Sequence, residues 1–221
     1  SAFLVTNPTN RQYLSGYSAD DHGIQETAGV LLVPASGTPF LFTDSRYILQ
    51  AEEEATGYAV QLYAKGLMAT LQKILPELGA EILGFESHYL LHSTAQRLNK
   101  ITDRIKVELV PLSGIIERQR EIKTDEEIDN IRSAVLLNEK VFQKVYPTLK
   151  PGMTETSVAL KIENTMRRMG AQRPSFETIA AVGTNAAKPL AVPGKRKLQN
   201  GETGLIEMGL VLDGYCSDMT R

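Results

Sequence analysis

The strongest constraint on this chain is a hairpin signal in its last residues. Positions 204–221 read G-L-I-E-M-G-L-V-L-D-G-Y-C-S-D-M-T-R, two largely apolar runs joined by Asp213-Gly214. Asp-Gly in that setting specifies a two-residue type I′ turn, which needs positive φ at both positions. The turn sets the register: Leu212 pairs with Tyr215, and Glu207 falls opposite Thr220. Asp218 becomes the diagonal neighbour of Glu207 on the same face. Two carboxylates held close on strands share either a proton or a cation. The structural alternative makes Glu207 a solvated residue on the polar side of an edge strand and Asp218 a turn or cap residue.

The rest of the chain bears on that choice. Its 221 residues suggest one large or two ordinary domains. Apolar residues at 42% and charged residues at 23% are normal for a soluble globular protein. A net charge of −2 and a pI of about 6.0 give no electrostatic case for nucleic acid or an anionic membrane as partner. A single cysteine, Cys216, permits no intrachain disulfide and fits a reducing compartment. No apolar run approaches a membrane span, and the first ten residues lack a basic n-region and a cleavable h-region. The expected location is cytoplasmic. Neither a low-complexity segment nor a short-period repeat is present.

Residues 1–120 read as one domain. Strands are expected over 28–33, 40–43, 58–63, 81–86 and 105–111, with helices over 45–55, 67–78 and 88–100. Asp44 is placed as the N-cap of the first helix. Strands alternating with helices argue an α/β domain with a mixed sheet. Its candidate ligands carry little. His22 lies in a polar loop, where a solvated histidine is the simpler reading. His88 and His92 stand i, i+4 on an expected helix, a zinc-compatible spacing, yet they lack the H-E-x-x-H glutamate and an obvious third ligand. Asp44 with Arg46 reads as a cap and a surface pair.

Residues 121–221 read as the second domain. The polar stretch 118–124 leads into Thr124-x-x-Glu127, a capping box. Ile128, Ile131, Val135, Val141, Phe142 and Val145 then hold a helical period as far as Tyr146. A second helix is expected over 154–169, capped by Thr154 and stopped by Gly170. A strand over 175–182, a loop with two prolines and the terminal hairpin follow. Two helices leading into an antiparallel hairpin argue α+β.

Six fragments in order are similar to the creatinase/prolidase/Xaa-Pro aminopeptidase family, whose catalytic domain has the pita-bread fold. They are R-Q-Y-L-S-G-Y (11–17), F-T-D-S-R-Y-I-L-Q-A (42–51), R-E-I-K-T-D-E-E-I-D-N-I-R (120–132), G-M-T-E (152–155), S-F-E-T-I-A-A-V-G-T-N-A-A-K-P (175–189) and D-G-Y-C-S-D-M-T-R (213–221). The resemblance covers nearly the whole chain. It implies a creatinase/prolidase-type N-terminal domain followed by an incomplete pita-bread domain. It implies two divalent metal ions (Mn, Co or Zn), held by two hairpin aspartates plus a histidine and two glutamates further along. The implied reaction is hydrolysis of the bond before proline in a peptide or dipeptide. Proline has no N–H and a restricted φ, so ordinary peptidases handle it poorly. The resemblance also implies a homodimer.

The chain departs from the family pattern at three places. I-E-M-G puts Glu207 where the family carries aspartate, so Glu207 and Asp218 are the candidate metal ligands here. The extra methylene displaces the oxygens by about a bond length, large beside the ~0.2 Å tolerance of a metal–ligand distance. P-L-A places Leu190 at the position of the family's substrate-contacting histidine, and leucine donates no hydrogen bond. The further histidine and two glutamates are not among residues 1–221. The expectation is therefore a proline-specific metallopeptidase sequence that is inactive as these 221 residues. The alternative is a non-catalytic peptide- or protein-binding member. A metal-free amidinohydrolase of the creatinase kind is disfavoured by Leu190, because that chemistry leans on the histidine. Cys216 is expected as a small buried apolar filler beside the carboxylates.

Overall fold

The computed structural model describes every residue except Ile24. The chain forms two compact units, Ser1–Ile122 and Lys123–Arg221, each with its own apolar core.

The first unit runs β1 (Ala2–Val5), α1 (Pro8–Ser15), β2 (Val30–Pro34), β3 (Phe40–Thr43), α2 (Ile48–Glu54), β4 (Ala59–Leu62), α3 (Leu67–Glu77), β5 (Ile82–Glu86), α4 (His92–Ile105), β6 (Glu108–Leu112) and α5 (Ile115–Glu121). Its strands form one six-stranded sheet in the order β4-β3-β2-β1-β5-β6. The pairs β1/β2 and β2/β3 are antiparallel and the others parallel, so the sheet is mixed as expected. Successive residues point to opposite faces. Leu4, Leu32, Phe42 and Leu83 pack on Leu71 and Leu75 of α3 and Leu98 of α4. Val5, Leu31 and Leu41 pack on Tyr17, on Ala51 of α2 and on Ile116 of α5. Both faces are covered, which is why the central strand β2 reads as a continuous apolar run.

Several expected elements move. Strand β1 and helix α1 fall where no element was read. Helix α2 starts at Ile48, not at residue 45, because Asp44 closes a turn: its Oδ1 accepts from Arg46 N at 2.8 Å. Helix α4 starts at His92 and runs through Ile105, so β6 begins only at Glu108. Helix α5 runs from Ile115 into the stretch read as polar, 118–124, and buries Ile116.

The quoted motifs of this unit meet at one buried cation. Arg11, fully buried, donates from Nη1 to Asp21 Oδ1 at 2.9 Å and to Gly29 O at 2.6 Å. Tyr17 lies under its guanidinium and donates to Ala28 O, which also accepts from Thr43. A charge this buried is stable only when paired and hydrogen-bonded.

The second unit opens with α6 (Asp125–Val145) and α7 (Glu155–Arg168). Thr124 accepts from Glu127 N while the Glu127 carboxylate accepts from Thr124 N, the expected capping box. Thr154 caps α7 by accepting from Ser157 N at 3.1 Å. The strands are β7 (Arg173–Pro174), β8 (Ile179–Val182), β9 (Gly204–Met208), β10 (Leu210–Leu212), β11 (Tyr215–Cys216) and β12 (Met219–Thr220). They make two antiparallel three-stranded sheets, β12-β9-β8 and β11-β10-β7. Val141, Val158, Ile162, Met166, Met208 and Leu210 fill the α+β core between helices and strands. Among the described residues, no helix is long and apolar enough to cross a membrane.

Candidate functional site

The terminal hairpin has the register its turn dictates. Asp213 and Gly214 take φ of 50° and 81°, the two positive values a type I′ turn needs. Leu212 pairs with Tyr215, Met208 with Met219 and Glu207 with Thr220. The ladder breaks where Gly209 faces Asp218. Leu210 N donates to Ser217 Oγ at 3.1 Å, while Ser217 O accepts from Ser175 Oγ at 2.9 Å and Gly209 O from Ser175 N at 3.0 Å. A Cβ at Gly209 would lie 2.2 Å from both Ser175 Oγ and Ser217 O. The glycine of I-E-M-G is therefore a steric requirement of this crossing.

Glu207 is half-buried on β9, and Asp218 is exposed between β11 and β12. Neither carboxylate has a hydrogen-bond or ion-pair partner among the described residues. Unpartnered carboxylate oxygens on one hairpin face are the right donor chemistry for a hard divalent cation. Two donors do not close a site. Among the described residues, three ligand-bearing side chains gather in one place only, and that place is in the first unit. Cys216 is exposed, not a buried filler, because its side of the hairpin carries no covering layer among the described residues.

Leu190 stands on the crest of the loop between β8 and β9. It is 85% exposed and Val192 80%, while the intervening Ala191, 3% exposed, is plugged against Ile179 and Ala181. Sequence reasoning placed Leu190 but assigned nothing to the residue that holds its loop. Glu155 is 1% exposed, and its carboxylate accepts from Val182 N, Asn185 Nδ2 and Gly194 N, each at 2.9 Å. Burial pushes its pKa up, but these donors outweigh burial and hold it below the ordinary glutamate range. The only sequence signal was its place in G-M-T-E, since the donors lie 27, 30 and 39 residues further along.

The histidine candidates of the first unit separate. His22 is exposed in its loop. His88 lies in the turn before α4 and His92 is that helix's first residue, so the two do not share a helix face. His88 instead meets Glu117 at 3.1 Å, and with Glu86 these three offer ligand atoms within 4.8 Å of one another. The centre of that group is taken by Asn10. Its Nδ2 donates to Glu86 Oε1 at 2.6 Å and Glu117 Oε1 at 2.5 Å, and its Oδ1 accepts from Arg120 at 2.9 Å. Glu86 also accepts from the backbone of Thr6 and Asn7. Burial raises the Glu117 pKa, but the Asn10 hydrogen bond and His88 outweigh it and leave it lowered. The group is a hydrogen-bonded knot tying α1 and α5 to the end of β5. A cation enters it only by displacing the Asn10 amide. Asp44 and Arg46 form an exposed pair that extends to Glu26.

Residues 1–122 match the creatinase/prolidase N-terminal domain, and residues 129–221 match metallopeptidase family M24. An uncharacterized peptidase of Staphylococcus haemolyticus is 32% identical over 222 residues, and one of Bacillus subtilis 29% over 218 residues. These alignments take in 100% and 99% of this chain but 60% and 59% of the relatives. The chain thus spans about 60% of the length of the curated relatives it matches. Among solved structures, an Xaa-Pro dipeptidase from Bacillus anthracis superposes on all of this chain and 59% of its own, with a TM-score of 0.87 and 33% identity. An X-Pro aminopeptidase from Thermotoga maritima does so with 0.88 and 26%, over 61% of its length.

Proposed function

Because the chain belongs to the creatinase/prolidase/Xaa-Pro aminopeptidase family of pita-bread metallopeptidases, we propose that its residues serve the hydrolysis of a peptide at the bond preceding proline. The observation that carries this reading is the hairpin register, which sets Glu207 and Asp218 on one face with unpartnered oxygens. In this role the two residues are carboxylate ligands of a pair of divalent cations (Mn, Co or Zn). Bound there, the ions would supply an activated water and a polarised carbonyl. Leu190 faces the substrate and contributes an apolar contact suited to a proline ring, and no hydrogen bond. Glu207 and Asp218 supply two carboxylates, fewer than a closed two-metal site needs, so residues 1–221 by themselves are expected to be silent. The family likeness supports a homodimer acting in the cytoplasm.

The test compares this chain with a version extended to the length of its relatives, on Xaa-Pro dipeptides and longer Xaa-Pro peptides, with Mn, Co or Zn and with chelator. The expected result is silence from the chain and chelator-sensitive cleavage from the extended protein. Silence of the extended protein with every metal overturns the proposal.

A second reading, a peptide- or protein-binding member without catalysis, is favoured by two departures close to one another, Glu207 for aspartate and Leu190 for histidine. Stoichiometric tight metal in the extended protein would sink it.

A further inference from the structure

The loop carrying Leu190 has little regular structure of its own beyond the short 3-10 turn Gly183–Ala187. Its crest nonetheless exposes two apolar side chains in a fixed alternation, with Leu190 and Val192 outward and Ala191 inward. We infer that Glu155 is the positioning residue of this loop: its carboxylate pins the loop's start at Val182 and the residues on either side of the crest, Asn185 and Gly194, and so sets the orientation in which Leu190 and Val192 are presented. The purpose assigned to that orientation rests on the proposed function; the pinning rests on geometry alone.

Glu155 opens α7, and its side chain enters the loop. Oε1 takes the Val182 amide where β8 ends, and Oε2 takes both the Gly194 amide and the Asn185 side chain. Asn185 Nδ2 also reaches Val192 O at 3.2 Å, which ties the crest to the same hub. The first turn of α7 adds backbone ties, with Glu155 N donating to Arg196 O at 3.0 Å and Thr156 N to Gly194 O at 3.1 Å. Fixed donors thus replace the water a buried carboxylate needs. The charged group facing Glu155 is Arg196, which is itself paired with Glu202 and donates to Thr184 Oγ1. Glutamine at position 155 would have the same shape but would turn an NH2 towards N–H donors, leaving donor against donor.

The experiment follows the amide resonances of Val182 and Gly194 in the 221-residue chain by NMR from about pH 7 to about pH 2, reaching well below the ordinary glutamate range. Hydrogen exchange is measured alongside over residues 183–194. Both amides are expected to titrate together with one midpoint. In Glu155→Gln neither titrates, and exchange in 183–194 speeds up about tenfold or more relative to Ile162 and Met166 in α7, the loss of a hydrogen bond to a charged group. In Asn185→Ala, which keeps the carboxylate, both amides still titrate while exchange accelerates only between residues 184 and 192. Amides that do not titrate in the unaltered chain overturn the inference. So does Glu155→Gln with unchanged loop exchange, or with an equal acceleration throughout the second unit, the mark of general destabilisation. If Glu155→Gln does not fold, the unaltered chain and Asn185→Ala decide the matter. A loop that behaves as expected in an extended protein without peptidase activity sinks the proposed function and leaves the positioning role standing. An active extended protein whose loop amides ignore Glu155 does the reverse.

Discussion

Gly209 shows how much a single position carries here. The strand crossing brings Ser175 Oγ and Ser217 O to 2.2 Å from where its Cβ would sit, and both are held by mutual hydrogen bonding. Gly209→Ala is expected to destabilise the chain by about 1–3 kcal/mol, the range of core overpacking, read as a lower urea midpoint. The same steric logic explains why this glycine accompanies the carboxylate in I-E-M-G. Glu155 sets a pH dependence of definite sign. Its folded pKa lies below the ordinary glutamate value of 4.5, so its stabilisation is fully present above that value and is lost as pH falls through the folded pKa. The gap in urea midpoint between the unaltered chain and Glu155→Gln is expected to be wide near neutrality and to close in acid. Glu207, Asp218 and Leu190 could be named as candidates from their fragments. The hub at Glu155 could not, because a carboxylate's partners are set by which donors the fold brings to it, and sequence spacing says nothing of donors 27 to 39 residues away.

At the scale of elements, local signals succeeded where a short pattern fully specifies a geometry. Asp213-Gly214 demanded a type I′ turn, and its register propagated to Glu207 and Thr220. Thr124 and Glu127 demanded a reciprocal cap, and both hydrogen bonds are present. Thr124→Ala is expected to cost about 1 kcal/mol and to show as earlier thermal loss of helical circular dichroism. Signals failed where tertiary contacts chose between local options. Asp44 has the composition of an N-cap, but its oxygens are taken by Arg46, and helix α2 waits until Ile48. The zinc-like spacing of His88 and His92 assumed one helix across both. The chain after β5 instead continues the sheet, with Ser87 N donating to Leu112 O, and so keeps His88 out of the helix. Strand β1 and helix α1 escaped notice because an apolar strand of four residues and a polar helix of eight carry little periodicity.

For the whole molecule, each unit has its own apolar core. The unit Ser1–Ile122 made by itself is expected to unfold cooperatively in urea, with coincident transitions by fluorescence and circular dichroism; a broad, probe-dependent transition would contradict this. The mixed α/β and α+β classes were legible because alternating strand and helix periods are properties of the chain itself. The candidate carboxylates and their register were legible for the same reason, since a tight turn and a two-residue period are local geometry. What only the tertiary structure decided is where long-range donors go. It aimed Val182, Asn185 and Gly194 at one buried glutamate, brought Asp21 and Gly29 to Arg11, and filled the Glu86–His88–Glu117 group with the Asn10 amide. Burial makes such contacts obligatory, because an unpaired polar group inside costs more than any local preference can return, and burial is not a property of a residue until the chain has closed over it.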